Sequence, residues 1–154
     1  MGQRYIVNVS AVAVSAAQDV FELNVASDRS VILHEIGISQ YSDAGDAQAE
    51  LLSVQLITGY TTSGSGGSTP TPAHLQGTVS ASSTVEANNT TVANTGTAKT
   101  LLSDSWNVQI PYLKLWTPET RPEFKASTRA VVRITAPADA ITLNGYMIFE
   151  EIGA

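Results

Sequence analysis

Apolar and polar residues alternate with a period near two along most of this chain. At the N-terminus Tyr5, Val7, Val9 and Ala11 fall on one side, with Ile6, Asn8 and Ser10 on the other. That spacing predicts a half-buried strand, because successive side chains of a strand point to opposite faces. The run Met1-Gly2-Gln3-Arg4 and the apolar residues after it superficially resemble a secretory signal. Asn8 and Ser10 interrupt the run, however, and strand periodicity accounts for more of the residues. Ile6 also stands where a myristoylation signal wants Ser or Thr.

The same alternation predicts strands at Val20–Val25, with Phe21, Leu23 and Val25 opposed to Glu22 and Asn24, and at Glu50–Thr58, with Leu52, Val54 and Leu56 on one face. Val31–Ser39 places Ile32, His34, Ile36 and Ile38 together, and Thr128–Thr135 opposes Ala130, Val132 and Ile134 to Arg129, Val131 and Arg133. Trp106–Trp116 reads as a strand broken at Pro111, which suits an edge. Ile141–Ile152 is the last strand. A four-residue loop, Pro137–Ala140, would pair it with Thr128–Thr135 as a hairpin, setting Ile134 opposite Leu143 and Ala130 opposite Met147. No segment carries a capped apolar stripe of period 3.6. The expected fold is therefore all-β: one antiparallel sandwich domain over residues 1–154, of jelly-roll type.

One stretch departs from this pattern. From Thr61 to Thr100, 27 of 40 residues are Ser, Thr, Gly, Asn or Pro, and only Glu86 and Lys99 are charged. A structureless loop of that length is unusual in a compact domain. The expectation is an exposed excursion followed by polar strands near Gly77–Val85 and Ala98–Leu102. Such a segment lacks the charge repulsion that keeps a tail solvated, so Tyr60–Thr100 is the candidate partner-binding segment, a tolerated surface insertion being the alternative.

Composition narrows the function. The 154 residues are 43% hydrophobic and only 14% charged, with net charge −6 and no Cys. Thiol catalysis and Cys-ligated metals are excluded. The acidic balance argues against nucleic acid and anionic membrane as partners, and no run approaches the roughly 18 apolar residues of a membrane span. Charge is nonetheless uneven: Lys99–Arg133 holds six basic residues against Asp104, Glu119 and Glu123, between two acidic flanks. This split fits either docking between unlike patches or ion pairs between strands. Trp116, Arg121 and Lys125 join Tyr60, Ser63, Ser65, Thr69, Pro70 and Pro72 as candidate partner-binding residues; Trp106 reads as core.

Catalytic constellations are not found. His34 lies in an apolar strand, His74 in the Pro-rich loop, and no nucleophile elbow or phosphate loop occurs. Glu150 and Glu151 are adjacent on a strand and so face opposite ways. Asp43 and Asp46 read as an acidic turn, with a calcium site as the lesser alternative. No catalytic residue, metal or cofactor is expected. Asn8-Val9-Ser10, Asn88-Asn89-Thr90 and Asn89-Thr90-Thr91 match the glycosylation pattern.

Arg4-Tyr5-Ile6-Val7-Asn8-Val9-Ser10, the Thr61–Pro72 loop, Asn88-Asn89-Thr90-Thr91 within Val85–Val92 and Gly145-Tyr146-Met147-Ile148-Phe149-Glu150-Glu151 together resemble small all-β virion proteins of tailed bacteriophages. The resemblance implies a capsid decoration, or cement, protein: a homotrimer that binds the major capsid protein lattice on the head surface and is soluble in the host cytoplasm before assembly. Two other readings stay open. One is a tail-tip protein that binds receptor or glycan, with Trp116, Tyr60 and Tyr41 stacking on sugar. The other is a head–tail connector component.

Overall fold

The alternating segments become strands, and in a computed structural model these form two antiparallel sheets packed face to face, a β-sandwich. The structure describes residues 2–41 and 50–153. The turn holding Asp43 and Asp46 lies outside the described residues.

The first sheet contains β1 (Gln3–Val14), β3 (Ser30–Gln40), β5 (Ala73–His74), β8 (Tyr112–Leu115), β9 (Glu123–Phe124) and β11 (Ile141–Ile152). The second contains β2 (Gln18–Asn24), β4 (Leu51–Thr62), β6 (Thr84–Asn89), β7 (Asn94–Asn107) and β10 (Arg129–Ile134). Strand order is β5-β1-β11-β3-β8 in the first, with β9 also on β3, and β6-β2-β10-β4-β7 in the second. With the short β5, β6 and β9 set aside, the orders β1-β11-β3-β8 and β2-β10-β4-β7 are those of a jelly roll. Chain-consecutive strands alternate between the sheets, and β4 and β7 form the one pair joined within a sheet.

The core fills the space between the sheets. Tyr5, Val7, Leu33, Ile36, Ile38, Leu143, Met147 and Phe149 point in from the first sheet. They meet Phe21, Leu23, Leu52, Val54, Leu56, Trp106, Ala130, Val132 and Ile134 from the second. Each large side chain removed from water in this way stabilises the fold by about 1.5–3 kcal/mol. Trp106 is core as expected; its indole Nε1 donates to the Ile110 carbonyl at 2.7 Å.

Several expectations need correcting. The segments β10 and β11 are not a hairpin: β10 pairs with β2 and β4, and β11 with β1 and β3. Both are central strands with an apolar face, and those faces bury each other across the core. Residues 135–140 therefore cross from one sheet to the other rather than turning within one. Pro111 likewise sits where the chain leaves β7 for β8, so the Trp106–Trp116 strand is two edge strands in different sheets. In β3 the inward set is Val31, Leu33, Ile36 and Ile38, while Ile32 and His34 face out. A bulge opposite Ile148 and Phe149 skips one residue and shifts the alternation. A second bulge between Val9 and Val12 takes Ala11 off the inner face, with φ 53°.

Candidate functional site

The excursion is built into the sandwich rather than hung from it. Leaving the β4–β7 hairpin after Thr62, the chain adds β5 to the edge of β1 and β6 to the edge of β2. Ser65 and Ser68 pair with Thr91 and Ala87 along the outer side of β6. The expected polar strand near Ala98–Leu102 is part of β7; the one near Gly77–Val85 begins only at Thr84, as β6.

Carboxylates buried in this sparsely charged chain fasten it. On β2, Glu22 faces away from the core yet is fully covered, because Ser63 and Gly64 lie over it. Its oxygens accept from the Gly64 amide at 2.9 Å, the Ser63 hydroxyl at 2.6 Å and Asn89 Nδ2 at 3.0 Å. Arg129 on β10 supplies the counter-charge: its Nε lies 2.5 Å from Glu22, and its Nη1 donates to the Tyr60 carbonyl at 3.2 Å. Glu86, directly across from Glu22, shares the Ser63 and Asn89 donors.

A second pair repeats the device further along the same two strands. Asp19 takes a bidentate fork from Arg133, Nε at 2.6 Å and Nη2 at 3.2 Å, and also accepts the Ala93 amide at 2.7 Å. Arg133 donates to the Ala93 carbonyl and the Tyr60 hydroxyl, and its guanidinium lies 5.0 Å over the Tyr60 ring. Burial alone would lower the Arg133 pKa, but the hydrogen bond and charge of Asp19 outweigh it and raise the pKa. On the other margin Glu151, facing in, receives the amides of Ser82 and Ser83 at 3.1 and 2.6 Å. Glu150 faces out and pairs with His34 Nε2 at 2.9 Å, so the two glutamates do point opposite ways.

The candidate partner-binding residues therefore do not form one patch. Tyr60 and Ser63 are tied into the ionic network. Ser65 and Thr69 are exposed on the excursion, with Pro70 and Pro72 half-buried beside them. Trp116, Arg121 and Lys125 lie at the opposite edge of the first sheet, where β8 and β9 meet β3. Trp116 is only 8% exposed and packs in the core, which corrects its placement as a surface aromatic. Arg121 is half-buried and Lys125 exposed. Asn89, 2% exposed with its amide held by two carboxylates, closes one glycosylation match in the folded chain. What sequence reasoning missed is the role of Asp19 and Glu22. Their signal was present: acidic residues on β2 and Arg129 and Arg133 sharing one face of β10, a pattern already compatible with ion pairs between strands.

A groove of about 480 Å³ crosses the outer face of the first sheet between Asn8, Gly37, Leu113, Asn144 and Tyr146. Tyr146 presents its phenol on that face, whereas Tyr112 at the groove's margin turns inward with Ile38 and donates its hydroxyl to Asp104 of the second sheet. Burial beside Asp104 pushes Tyr112 up to about 12, and the hydrogen bond to Glu35 does the same for Tyr146. At neutral pH the groove offers the protonated Tyr146 phenol, the amides of Asn8 and Asn144 and the hydroxyls of Ser10 and Ser39 as hydrogen-bonding groups. Among the described residues no group of three or more His, Asp or Glu could hold a metal, and no helix is long and apolar enough to cross a membrane.

No protein-family model and no curated protein matches the chain. Among solved structures it aligns with a chain of maize chlorotic mottle virus, solved by single-particle analysis, at 10% identity and TM-score 0.26, over 100% of this chain and 94% of the other. It also aligns with a chain of infectious bursal disease virus, Gx strain, at 10% identity and TM-score 0.17, over 98% of this chain and 42% of that one. Overlaps this loose carry no functional information.

Proposed function

We propose that this chain is a non-enzymatic structural protein of a bacteriophage virion, of the capsid-decoration kind, seated as a homotrimer on the major capsid protein lattice. The reading rests on the resemblance carried by the N-terminal strand, the Thr61–Pro72 loop and the closing strand, and on one structural observation. The sparsely charged excursion is tied to the sandwich by the buried carboxylates of Glu22, Asp19 and Glu151, while Ser65, Thr69 and Thr71 stay exposed. A pre-ordered polar surface binds without the entropy cost of ordering a loop, and many weak copies on a lattice add through multivalency. Binding to the assembled shell then stabilises it by mass action.

The glycan-binding alternative loses support, since Trp116 is buried and Tyr60 lies under Arg133, leaving Tyr41 alone of its three aromatics. The test is to mix purified protein with shells that lack it, count bound copies by electron microscopy and follow shell melting. Saturable binding in hundreds of copies, with a higher melting temperature, is the expected result. Absence of shell binding, or a handful of copies at one vertex, would overturn the reading.

A further inference from the structure

A sandwich of two open sheets has four edges, and this chain treats them unequally. The β5 edge is two residues long, the β8 edge four, and the β6 edge is covered by Ser65 and Ser68. The remaining edge, β7, runs for fourteen residues, Asn94–Asn107, with no strand on its outer side among the described residues. Most of its side chains are exposed on both faces, Leu101 among them. It lacks the Pro residues and repeated charges that guard many edges against pairing, and its irregularities are two bulges in its pairing with β4.

Its two charges are placed in a particular way. Residues five apart on a regular strand point to opposite faces. In β7, however, Lys99 stands opposite Thr58 and Asp104 opposite Val54, four residues apart on β4. The bulge that takes up Leu101 makes the difference, so Lys99 and Asp104 share a face. Their separation is symmetric about Leu101 and Leu102. In an antiparallel pair of two β7 strands related by a two-fold axis, Lys99 of each copy meets Asp104 of the other. Thr100 then meets Ser103, and Leu101 and Leu102 form the centre. Such mutual correspondence is what a two-fold interface requires. Lys99 has no ion-pair partner within the chain among the described residues.

The geometry points to β7 as a self-pairing edge, on which a second copy of this chain docks by strand addition, with the two Lys99–Asp104 pairs setting register. This goes beyond the proposed function and does not depend on it: β7 is the edge of the second sheet opposite β6, where the exposed Ser65 and Ser68 lie.

Analytical ultracentrifugation across concentration tests it, using wild type, Lys99→Glu, Asp104→Lys and an equal mixture of the two variants. Wild type should self-associate reversibly. Each variant alone should associate at least about tenfold more weakly, since it sets like charges opposite each other. The mixture should recover wild-type association, because one variant then carries both acids and the other both bases. Asp104 accepts the Tyr112 hydroxyl, so an Asp104→Lys chain that misfolds is replaced by Leu101→Glu, which puts two carboxylates at the exposed centre and should also abolish pairing. A wild type monomeric at every concentration, or association indifferent to Lys99→Glu and to Leu101→Glu, would overturn the inference.

Discussion

The ring of Tyr146 packs against Gly37 on the neighbouring strand, where a side chain on Gly37 would collide with it. From that position the Tyr146 hydroxyl reaches over β3 and donates to Glu35. The absent side chain on one strand thus positions a phenol on the next, and the pair forms the floor of the outer groove.

Gly37→Ala should therefore destabilise the fold by about 1–3 kcal/mol, the usual cost of forcing extra volume into a packed site. Part of that loss should vanish in Gly37→Ala combined with Tyr146→Ala, since the clash is gone. Chemical denaturation of the two single variants and the double variant measures this coupling. Purely additive losses would show that the ring does not depend on Gly37.

Glu22→Gln keeps the shape of the side chain but removes the charge that faces Arg129. Removing one partner of a buried pair costs about 3–5 kcal/mol, and the low end applies because Arg129 is partly exposed. The loss should be local as well as global. Hydrogen exchange at the Gly64 amide should accelerate, and protease should cut near residues 63–72 before the core opens. Unchanged exchange at Gly64 would mean that other contacts hold the excursion.

Tyr112 and Tyr146 titrate at about 12 in the folded chain against an ordinary value of 10.0. For Tyr112 the causes are burial, then the charge and hydrogen bond of Asp104; for Tyr146 they are the hydrogen bond to Glu35, then burial, then the charge of Glu35. Folding thus favours the protonated phenol. That contribution is complete below pH 10 and is lost as the pH rises through about 12. Unfolding free energy measured over this alkaline range should fall, and Tyr146→Phe should flatten part of the decline.

Ala11 occupies the left-handed region at φ 53°, where its Cβ crowds the backbone. It is exposed, and its amide is held by Asn144 Oδ1 at 2.8 Å. Ala11→Gly, which would weaken an ordinary strand position, should here raise stability by about 1 kcal/mol, the strain relieved being partly offset by a more flexible unfolded chain. A higher melting temperature is the expected readout.

Alternation made the strands and much of the core readable in advance: Tyr5, Val7, Phe21, Leu23, Leu52, Val54, Leu56, Ala130, Val132 and Ile134 all point inward as the pattern predicts. Where a residue was assigned to the wrong face of its own strand, a bulge is the cause. Ala11 and the Ile32–His34 side of β3 were assigned by counting twos, and a single extra residue reverses every later assignment. Nothing local marks such a residue, since its place is decided by the partner strand. The candidate site was legible only in outline. The uncharged excursion stood out, but Tyr60 and Ser63 were read as free to meet a partner when their own Arg133 and Glu22 hold them.

By itself the sequence determined an all-β chain with two-faced strands, a core large enough without disulfides, and one polar stretch unlike the rest. These follow from period, composition and length, which are local or additive quantities. Tertiary structure alone decided that β10 and β11 face each other across the core, because an apolar face specifies burial but not which neighbour supplies it. It also decided that Asp19 meets Arg133 and that Lys99 shares a face with Asp104. Both depend on distances between residues remote in sequence or on a bulge set by the adjoining strand, and neither leaves a trace in the spacing of residues along the chain.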